Sequence, residues 1–531
     1  PAFQHLLRAF RAQATTVYAV GGVVRDHLLD RRDKLTDLDL MVTEPALPLA
    51  RAVANQLGWA FYPLDELRDV ARLVFTANAA APLVCDIARV RGGSPEGDLL
   101  MRDFTINAMA FAIEQTGEAT LLDPSGGQAD LQRHLVRRVS AASLADDPVR
   151  LLRAIRFVVQ LGFTLDEATR LQIKQICSTI TLASAERIRD ELWKMLASDL
   201  PAQALQGLQD VGLLAHVLPE VAQMTDVAQS YPHFEDVYRH TLRVMQNAAQ
   251  LRNWILGQPL PGAENAGLQV EQPGALGDQH PEMAQWTEAL TPYLIPLRRH
   301  MREPLAGGRN RAEWLVWHAM LHDIGKPVAR TEEPQPNRTI RYRFFEHERY
   351  SAEMVEERLT ALRFSKPEVA LARRVAQHHM RPHLLSSGFP GQSLSRRAKY
   401  RFLRDTFPGQ LNSAVNSADP AVSDGIDVLC LAIADYQATH RHAIDAETTY
   451  LKHAKEILAY AFESDGFSQV RQQTLVDGRM LMATLDLPPG RRIGELLAQI
   501  QEAQAAGEID SAEAALTLAA TWLNDSTTAT V

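Results

Sequence analysis

The sequence predicts an α+β fold in which a small mixed domain precedes a much longer helical region. Residues 1–135 contain four short runs of β-branched and apolar residues, separated by stretches with helical spacing. From about residue 140 onward, the apolar residues recur almost only at helical spacing. At 531 residues the chain exceeds a usual single domain, so we expect three or more domains.

The predicted elements follow in chain order from these local patterns. The β-rich runs are Val17–Val20, Leu38–Val42, Ala71–Phe75 and Leu83–Ala88. The clearest helices are Val149–Leu161, Asp166–Ile176 and Ala185–Leu196. Residues 257–282 are rich in Gly, Pro, Ala and Gln, which indicates a flexible insertion within the helical region.

Composition excludes several classes of protein. With 46% hydrophobic and 22% charged residues and no apolar run near the ~18 residues of a membrane span, we expect neither a membrane helix nor a secretory signal. The three cysteines are scattered without metal-ligand spacing, which favours a reduced, cytoplasmic protein. Because the net charge is −9, any nucleic-acid contact must come from local basic patches.

The most informative stretch combines Gly21-Gly22 with Arg25 and two aspartates, Asp37 and Asp39. Side chains at positions i and i+2 of a strand point to the same side, so both carboxylates face one site. Such a pair can hold two divalent cations and clamp the attacking and leaving oxygens of a phosphoryl transfer. The backbone N–H groups of the glycine turn are well placed for a triphosphate. A lone aspartate pair is usually a solvated turn, but the upstream glycines favour catalysis.

Two further segments carry polar residues beside apolar runs. Residues 101–111 place Arg102, Asp103 and Asn107 at the head of a predicted apolar helix. Residues 123–131 are predicted to form a loop with a carboxylate at each end.

The segment 146–156 is predicted to open a helix with acids at its N-terminus. Asp146 has a simple explanation as a helix cap. Arg150, Arg153 and Arg156 lie at i+3 spacing along one face, where a solvated stripe is the alternative to a functional site.

In combination these segments resemble the class II tRNA nucleotidyltransferases and bacterial poly(A) polymerases of the polymerase-β superfamily. The motifs, in family order, are GGVVRD…DLD, RDFTINAMA, DPSGGQADL, DDPVR and SAERIRDEL, within roughly residues 17–220. The resemblance implies a polymerase-β-like palm, a mixed sheet plus helices, in which Asp37 and Asp39 hold catalytic Mg²⁺. It also implies an all-α neck that selects the incoming nucleotide without a nucleic-acid template, for addition to the acceptor arm of a tRNA.

The resemblance also implies a nucleotide-binding set. Arg102, Asp103 and Asn107 would contact the ribose and phosphates. Cytosine presents a donor beside two acceptors, which a carboxylate next to a guanidinium can match, and Asp147 and Arg150 lie one helical turn apart. The expected set is Gly21, Gly22, Arg25, Arg102, Asp103, Asn107, Asp147, Arg150 and Arg153. Near the end of a strand, Asp86 is a candidate third carboxylate at the metals.

The nucleotide specificity is predicted from a departure from the family pattern. Full CCA-adding members carry a flexible loop before the Arg102 motif, and here only Gly92–Leu100 remains. Members with a short loop tend to stop after two cytidines, so we expect a CC-adding enzyme that uses CTP. Two milder departures from the family motifs are Met101, where an arginine is usual, and Asp146, where a glutamate is usual. The alternatives are a full CCA-adding enzyme, which also uses ATP, and a poly(A) polymerase.

A second constellation lies in the middle of the chain. His322-Asp323 follows an apolar helix, with His240 upstream and Asp435 downstream, and these imidazoles and carboxylates can bind one divalent ion. The spacing resembles the HD phosphohydrolase superfamily. It implies a Ni²⁺, Mn²⁺ or Mg²⁺ site with phosphatase and 2′,3′-cyclic phosphodiesterase activity, which would repair damaged RNA 3′ ends.

Additional candidates surround that constellation. His347 and His379 match extra histidines of many HD members, either as ligands or around the bound phosphate, and Lys326 is a candidate for binding phosphate. Ordinary core or surface histidines are the alternative, and they are the favoured interpretation of His318 and His378. A chain acting mainly as an HD phosphohydrolase, with a head that only binds RNA, is the second alternative for the whole protein.

The domain plan contains four parts. We expect a head at 1–138, a neck at 139–222, an HD domain at 223–460 and a helical RNA-binding tail at 461–531. Residues 363–404 carry ten Lys or Arg against one acid, Glu368, which predicts RNA phosphate binding, with solvated helix faces as the alternative.

Overall fold

The computed structural model describes most of the chain. The described residues are 2–13, 16–31, 37–76, 82–114, 119–258, 281–305, 307–407, 423–440, 448–462 and 475–528. Of the predicted insertion at 257–282, residues 259–280 lie outside them. Among the described helices, none combines the length and the apolar character needed to cross a membrane.

The chain forms two compact units. The first contains Pro1–Met195 and Gly207–Val217, and the second contains Leu196–Gln206 and Leu218–Val531. The predicted head falls in the first unit and the predicted HD domain and tail in the second. The four domain boundaries stay predictions.

The first unit is built on a seven-stranded mixed sheet of strand order β3-β4-β5-β2-β1-β6-β7. The strands are β1 (Thr16–Val20), β2 (Asp37–Val42), β3 (Ala60–Asp65), β4 (Val70–Phe75), β5 (Leu83–Arg89), β6 (Ala110–Glu114) and β7 (Ala119–Leu122). Strands β2 and β5 are parallel, whereas the other neighbouring pairs are antiparallel. The α+β class and all four predicted β-rich runs are therefore confirmed.

Helices cover the sheet and continue the first unit. They are α1 (Ala2–Arg11), α2 (Gly22–Leu28), α3 (Ala46–Leu57), α4 (Pro95–Leu100), α5 (Gly127–Gln132), α6 (Ala141–Ala145), α7 (Val149–Leu161), α8 (Glu167–Ile176), α9 (Ala185–Leu196), α10 (Pro201–Asp210), of which residues 201–206 belong to the second unit, and α11 (Leu214–Val217). A short parallel pair, β8 (Leu135–Val136) and β9 (Thr164–Leu165), joins the region before α7 to the region after it. The three helices that the sequence predicts here are confirmed within one residue.

Alternation along β2 separates the buried core from the open face of the sheet. Leu38 and Leu40 are buried against α1 and α3, whereas Asp37 and Asp39 are exposed on the opposite face. Since a slip of one residue would drive both carboxylates into the apolar core, burial of the leucines fixes the register of the two aspartates.

The segment 101–111 does not form the predicted apolar helix. Arg102 and Asp103 lie in a turn, Thr105–Asn107 is a single 3₁₀ turn, and the chain then enters β6. Strand β6 pairs with β1 over five residues. This long-range pairing, which buries Ala108, Met109 and Ala110, outweighs the helical propensity of Met and Ala.

The segment 123–131 is likewise only partly the predicted loop, because α5 begins at Gly127. Asp123 accepts hydrogen bonds from the N–H groups of Gly127 and Gln128 at 2.6 and 2.9 Å, so it caps this helix. Asp130 is buried in α5 and accepts a hydrogen bond from Thr105 Oγ1 at 2.7 Å. A Cβ on Gly127 would lie 2.2 Å from the carbonyl oxygen of Thr105, so this close packing requires glycine.

The described part of the second unit is helical apart from one β-hairpin, which the sequence did not predict. Its helices are α12 (Pro219–Ala222), α13 (Val237–Leu256), α14 (Pro281–Leu290), α15 (Leu294–Met301), α16 (Arg311–Leu321), α17 (Lys326–Ala329), α18 (His347–Ala361), α19 (Lys366–His378), α20 (Arg381–Gly388), α21 (Arg396–Asp405), α22 (Gly425–Thr439), α23 (Thr449–Phe462), α24 (Gly478–Leu485), α25 (Arg491–Ala506) and α26 (Ala512–Thr528). The hairpin consists of β10 (Arg330–Pro334) and β11 (Ile340–Phe344). Helices α13, α16 and α22 pack together and carry three of the HD motif segments.

The C-terminal helices have an apolar core of their own, which includes Leu481, Leu496 and Ile500. Helix α25 also packs against α21. The acid Glu502 of α25 forms ion pairs with Arg397, Arg401 and Arg404.

These ion pairs change the interpretation of the basic segment 363–404. Six of its ten cations are in ion pairs with acids, several of them contributed by other parts of the chain. The segment is therefore less positive in the folded chain than its sequence suggests. RNA binding by this segment stays a prediction.

Candidate active sites

The first candidate site lies on the open face of strands β2 and β5. The parallel register places Asp39 directly beside Asp86, and Asp37 beside Val84. Register partners point to the same side of a sheet, so Asp37, Asp39 and Asp86 form a cluster of three carboxylates. Arg72 of β4, the cross-strand partner of Asp86, donates two hydrogen bonds to it at 2.7 and 2.8 Å.

The electrostatics of Asp39 match a cation site. Desolvation, followed by repulsion from the Asp86 and Asp37 carboxylates, raises the pKa of Asp39, while Arg102 acts in the opposite direction. A divalent cation relieves this repulsion, so the three carboxylates fit the magnesium ions that the sequence predicts. Gly21, at a φ of 72°, completes the site: a Cβ there would lie 3.3 Å from Arg102 Nη1 and 3.6 Å from Asp39 Oδ2.

Four of the predicted nucleotide-binding residues form one hydrogen-bonded network. Arg25 Nη1 donates to Asn107 Oδ1 at 2.8 Å, and its Nε donates to Asp26 at 2.8 Å. Asn107 Nδ2 lies 3.4 Å from Asp103 Oδ1, and Asp103 Oδ2 accepts from Arg153 Nε at 2.8 Å. The structure therefore brings together residues that are up to 128 positions apart in the sequence.

Asp103 is held as a buried carboxylate with 6% exposure. Burial opposes its ionisation, but Arg153 and the N–H group of Phe104 outweigh that effect and lower the pKa of Asp103. In the structure, Asp103 positions Arg153 and Asn107. A direct contact between Asp103 and a nucleotide stays a prediction.

A cleft of about 910 Å³ opens at the start of α7 and is lined by Asp147 and Arg150. Their side chains are not hydrogen-bonded to each other, and their joint contact with a cytosine stays a prediction. Asp147 Oδ2 accepts a hydrogen bond from Arg187 at 2.7 Å, whereas Arg150 donates to the carbonyl oxygens of Ser143 and Met101 at 2.8 and 3.2 Å. The carboxylate–guanidinium pair present in the cleft is thus Asp147 with Arg187.

No role was predicted for Arg187 from the sequence. It lies in the SAERIRDEL segment, one of the motifs that resemble the tRNA nucleotidyltransferases. Burial opposes ionisation of Asp147, but Arg187 outweighs this and lowers the pKa of Asp147. The third arginine of the predicted stripe, Arg156, is buried and hydrogen-bonded to Glu191 at 2.6 Å, so it has a structural role.

The short segment Gly92–Leu100 is an ordered element rather than a remnant loop. Ser94 accepts a hydrogen bond from the N–H group of Gly97, Pro95 occupies the first helical position, and α4 follows. The buried Asp98 accepts a hydrogen bond from Arg91 at 2.8 Å and lies 3.4 Å from Arg102 Nη2. Asp98 therefore fixes the position of the segment between β5 and the Arg102 turn.

The second candidate site brings together the four residues of the HD pattern. His240 Nε2 lies 2.9 Å from Asp435 Oδ1, and His322 Nε2 lies 3.0 Å from Asp323 Oδ2. All four side chains are buried, and the ring of His240 is 6.1 Å from that of His322. The His322 ring follows the C-terminal end of α16, as the sequence predicts.

His347 and His379 join this site around the other oxygen of Asp323. Their Nε2 atoms lie 3.3 and 3.6 Å from Asp323 Oδ1 and 3.2 Å from each other. His240, His322 and Asp435 form one possible metal-binding group, and Asp323, His347 and His379 form a second.

The donor atoms fit a divalent metal. His322, His347 and His379 each lie 2.7 to 2.9 Å from a backbone carbonyl oxygen through Nδ1, so this nitrogen donates a proton and Nε2 faces the Asp323 carboxylate, where it can bind a metal ion. Burial lowers the pKa of His379 to about 4, so this imidazole is neutral near pH ~7. Asp323 Oδ1 and His322 Nε2 are buried without a hydrogen bond among the described residues, which a bound cation would satisfy.

The sequence did not predict His383 and Gln229 as residues of this site, and phosphate binding by Lys326 stays a prediction. His383 Nε2 lies 3.0 Å from Asp435 Oδ2 and was not predicted. Lys326 donates to Asp323 Oδ2 at 2.7 Å and to Gln229 Oε1 at 2.8 Å, so its described partners are side chains of the site. No spacing rule in the sequence points to His383 or Gln229.

The two histidines assigned to ordinary positions differ from the site residues. His318 is buried with neither ring nitrogen hydrogen-bonded in the described chain, and burial lowers its pKa to about 4. Burial likewise lowers the pKa of His378 to about 4, and it belongs to neither metal-binding group.

Comparison with known proteins finds matching families in the regions that contain the two sites. The poly A polymerase head domain matches residues 17–137, the probable RNA and SrmB-binding site of polymerase A matches 162–225, and the HD domain matches 292–436. An A-adding tRNA nucleotidyltransferase of Deinococcus radiodurans is 28% identical over 95% of each chain. A CC-adding tRNA nucleotidyltransferase of Geobacter sulfurreducens is 44% identical over 34% of this chain and 40% of its own length. The chain belongs to the CCA- and CC-adding tRNA nucleotidyltransferase family and carries an HD domain.

Solved structures of this family share the fold. A Thermotoga maritima CCA-adding enzyme complexed with tRNA is 20% identical, with a TM-score of 0.54 over 98% of this chain and 95% of that chain. A CCA-adding enzyme in complex with ATP is 19% identical, with a TM-score of 0.58 over the same shares of the two chains.

Proposed function

We propose that the first site adds two CMP residues to the 3′ end of a tRNA and then stops. The observation that carries the proposal is α4, because the segment preceding Arg102 is a six-residue helix held by Asp98 instead of a long flexible loop. Such a pinned segment disfavours the rearrangement that a switch from CTP to ATP requires.

In the proposed reaction, the 3′-hydroxyl of the RNA attacks the α-phosphate of CTP, a new phosphodiester bond forms and pyrophosphate leaves. Asp37, Asp39 and Asp86 would hold Mg²⁺, which supplies positive charge to the triphosphate. The network of Arg25, Asn107 and Arg153 provides fixed donors for the ribose and phosphates, with Gly21 and Gly22 supplying the turn beside them.

The cleft provides base recognition in this proposal. Asp147 can accept from the cytosine amino group, while Arg150 and Arg187 can donate to its N3 and O2 acceptors. Both guanidiniums already have partners in the structure, so nucleotide binding would replace some of those hydrogen bonds.

Nucleotide addition to tRNAs of defined 3′ end tests the proposal. The protein is incubated with Mg²⁺ and tRNA lacking CCA, with CTP alone, ATP alone or both. We expect two cytidines with CTP and no further extension when ATP is present. Efficient addition of the terminal A would refute CC specificity, and long tails with ATP alone would identify a poly(A) polymerase.

Addition of only the terminal A is a second candidate, because the D. radiodurans relative that aligns over 95% of this chain is named for that activity. A tRNA that already ends in CC separates the two candidates. Extension of this substrate with ATP, together with no CMP addition to the shorter tRNA, would favour A addition.

The second site is proposed to hydrolyse phosphate esters at RNA 3′ ends. Opening of a 2′,3′-cyclic phosphate adds water across one P–O bond and leaves a monoester beside a free hydroxyl. A second hydrolysis releases inorganic phosphate and yields the free 3′-hydroxyl that nucleotide addition requires. Ni²⁺, Mn²⁺ or Mg²⁺ held by the two donor sets around Asp323 would polarise the phosphoryl oxygens.

Hydrolysis and metal content test this second activity. The protein, loaded in turn with each metal, is assayed with 2′,3′-cyclic AMP and p-nitrophenyl phosphate, and bound metal is measured by elemental analysis. We expect hydrolysis of both substrates, and one bound ion fewer per chain in His379→Ala than in the wild type. Absence of hydrolysis with every metal would refute the activity, and equal metal content in the two proteins would refute the second donor set.

A further inference from the structure

The cavity above the HD residues has two chemically different parts. It encloses about 380 Å³, within the range of ligand pockets, which start near ~300 Å³. Its polar floor contains Asp323, His347, His379, His383 and Asp435, together with Lys326. Its rim is formed by Tyr231, Phe345, Arg341 and Arg343, which the reaction proposed for this site does not use.

The two aromatic rings of the rim are open to solvent. Tyr231 is 84% exposed and Phe345 is 65% exposed, although both line the cavity. A nucleobase can cover such rings by stacking, and this contact tolerates any base because every base has a π-face. Exposed rings beside a phosphate-ester site are therefore suited to the base of a nucleotide whose phosphate lies deeper.

Local contacts hold the rim in place. The N–H group of Tyr342 in β11 donates to Ser230 Oγ at 2.7 Å, which ties the hairpin to the segment containing Tyr231. The Arg330 guanidinium lies 4.5 Å from the centre of the Tyr342 ring, and β10 pairs with β11 over five residues. Both exposed aromatic residues thus adjoin positions that are fixed by hydrogen bonds.

The charges of the cavity favour a ligand with more than one phosphate group. Among the described lining residues, the only carboxylates are Asp323 and Asp435, and both belong to the proposed metal site. Lys326 contributes a cation at the floor, and Arg341 and Arg343 contribute cations at the rim. Arg343 also pairs with Glu333 at 2.7 Å, which reduces but does not remove the positive charge of the rim.

We propose that this cavity binds the terminal nucleotide of a single-stranded RNA 3′ end, with its base stacked on Tyr231 and Phe345. The terminal phosphate lies at the floor beside Lys326, and the preceding phosphate lies at Arg341 and Arg343. A base-paired end does not fit, because its last base is stacked within the helix. The inference rests on the proposed phosphohydrolase activity and names the substrate class of that site.

Kinetics with two matched RNAs test the inference. Both are short single strands with a 3′-phosphate, and in one of them the last nucleotide lacks its base. Tyr231→Ala and Phe345→Ala are each expected to raise KM for the base-bearing RNA at least fivefold more than KM for the abasic RNA, since one stacked base contributes about that much or more. Ile295→Ala, at a residue 83% exposed and outside the cavity, serves as the control.

A binding measurement makes the result independent of catalysis. RNA with a terminal 2-aminopurine is expected to lose fluorescence when it binds the wild-type protein loaded with metal, and to lose less with Tyr231→Ala. The inference is overturned if the ratio of KM for the base-bearing RNA to KM for the abasic RNA, and the quenching, are the same in the wild type and the variants. It is also overturned if the protein binds a blunt duplex as tightly as the single strand. Quenching without hydrolysis of any substrate would instead refute the phosphohydrolase activity and leave the binding site supported.

Discussion

Asp39 and Asp323 are carboxylates of equal intrinsic acidity in opposite surroundings. Asp39 lies among other carboxylates, and desolvation together with their repulsion raises its pKa. Asp323 is fully surrounded by protein, and although burial opposes its ionisation, His322 and Lys326 lower its pKa well below the usual value. At Asp39, a bound cation would relieve the repulsion between the carboxylates. At Asp323, the neighbouring imidazole nitrogens can bind the same cation as the carboxylate.

Single substitutions at these residues are expected to separate the two activities. Asp39→Asn removes a charge from the carboxylate cluster and should lower CMP incorporation on the order of 10³-fold, since metal-assisted charge stabilisation contributes several kcal/mol. Asp323→Asn should do the same to ester hydrolysis. Each variant serves as the control for the other, and loss of both activities in either variant would contradict two independent sites.

Among the elements of the fold, α4 and the turn at Arg102 are linked through Asp98. Asp98 is buried in α4 and contacts arginines on both sides of the helix in sequence, Arg91 before it and Arg102 after it. Its removal would leave both guanidiniums without this partner, and that of Arg102 lies near Asp39 of β2.

Asp98→Ala is expected to lower the free energy of unfolding by about 1–3 kcal/mol, because charged hydrogen bonds to a buried acceptor are lost. It should also lower kcat for CMP incorporation through misplacement of Arg102. Glu96→Ala, an exposed acid of the same helix, is the matched control. Urea unfolding and single-nucleotide addition measure the two effects, and equal values for the two variants would contradict the role of Asp98.

Helix α16 contains a pH-dependent contribution to stability at His318. Its pKa is about 4 in the folded protein and about 6.5 in an unfolded chain, so the unfolded state binds the additional proton between these values. Stability from this residue is present above pH ~6.5 and is lost as the pH falls toward ~4, by about 3 kcal/mol in total.

His318→Leu is therefore expected to lose less stability than the wild type when the pH is lowered from about 7 to about 5. Urea unfolding at the two values measures the difference, and His5→Leu, at an exposed position, is the control. If the stability of His318→Leu and that of the wild type change equally with pH, the pKa of His318 is not lowered by burial.

The elements also show where sequence patterns were insufficient. The segment 101–111 has helical composition but supplies a strand, because β1 offers a continuous pairing edge that local propensity does not reveal. The hairpin β10–β11 was missed within a region of helical pattern. Conversely, helix α7 and strand β2 were predicted well, since each carries a strong apolar period of its own.

At the scale of the whole molecule, each compact unit contains one site with its own donor chemistry. The first offers carboxylate oxygens from Asp37, Asp39 and Asp86, a set suited to Mg²⁺. The second offers imidazole nitrogens as well, which suit Ni²⁺ or Mn²⁺.

Chelation should remove both activities, and different metals should restore them. After EDTA treatment and dialysis, Mg²⁺ is expected to restore CMP incorporation, and Ni²⁺ or Mn²⁺ to restore ester hydrolysis most strongly. Nucleotide addition and hydrolysis assays on the same preparation measure both. Full hydrolysis in the continued presence of EDTA would contradict a metal-dependent second site.

Residues close together in the chain were sufficient to predict the α+β class, the two aspartates of β2 and the adjacent pair His322-Asp323 of the HD site. Other contacts could be recognised only in the folded chain: Asp86 lies beside Asp39, Arg187 pairs with Asp147, and His383 lies within hydrogen-bond distance of Asp435. The same is true of the acids that pair with most arginines of the basic segment. These contacts join distant parts of the chain, and their geometry is set by sheet register and helix packing, which no local pattern of residues encodes.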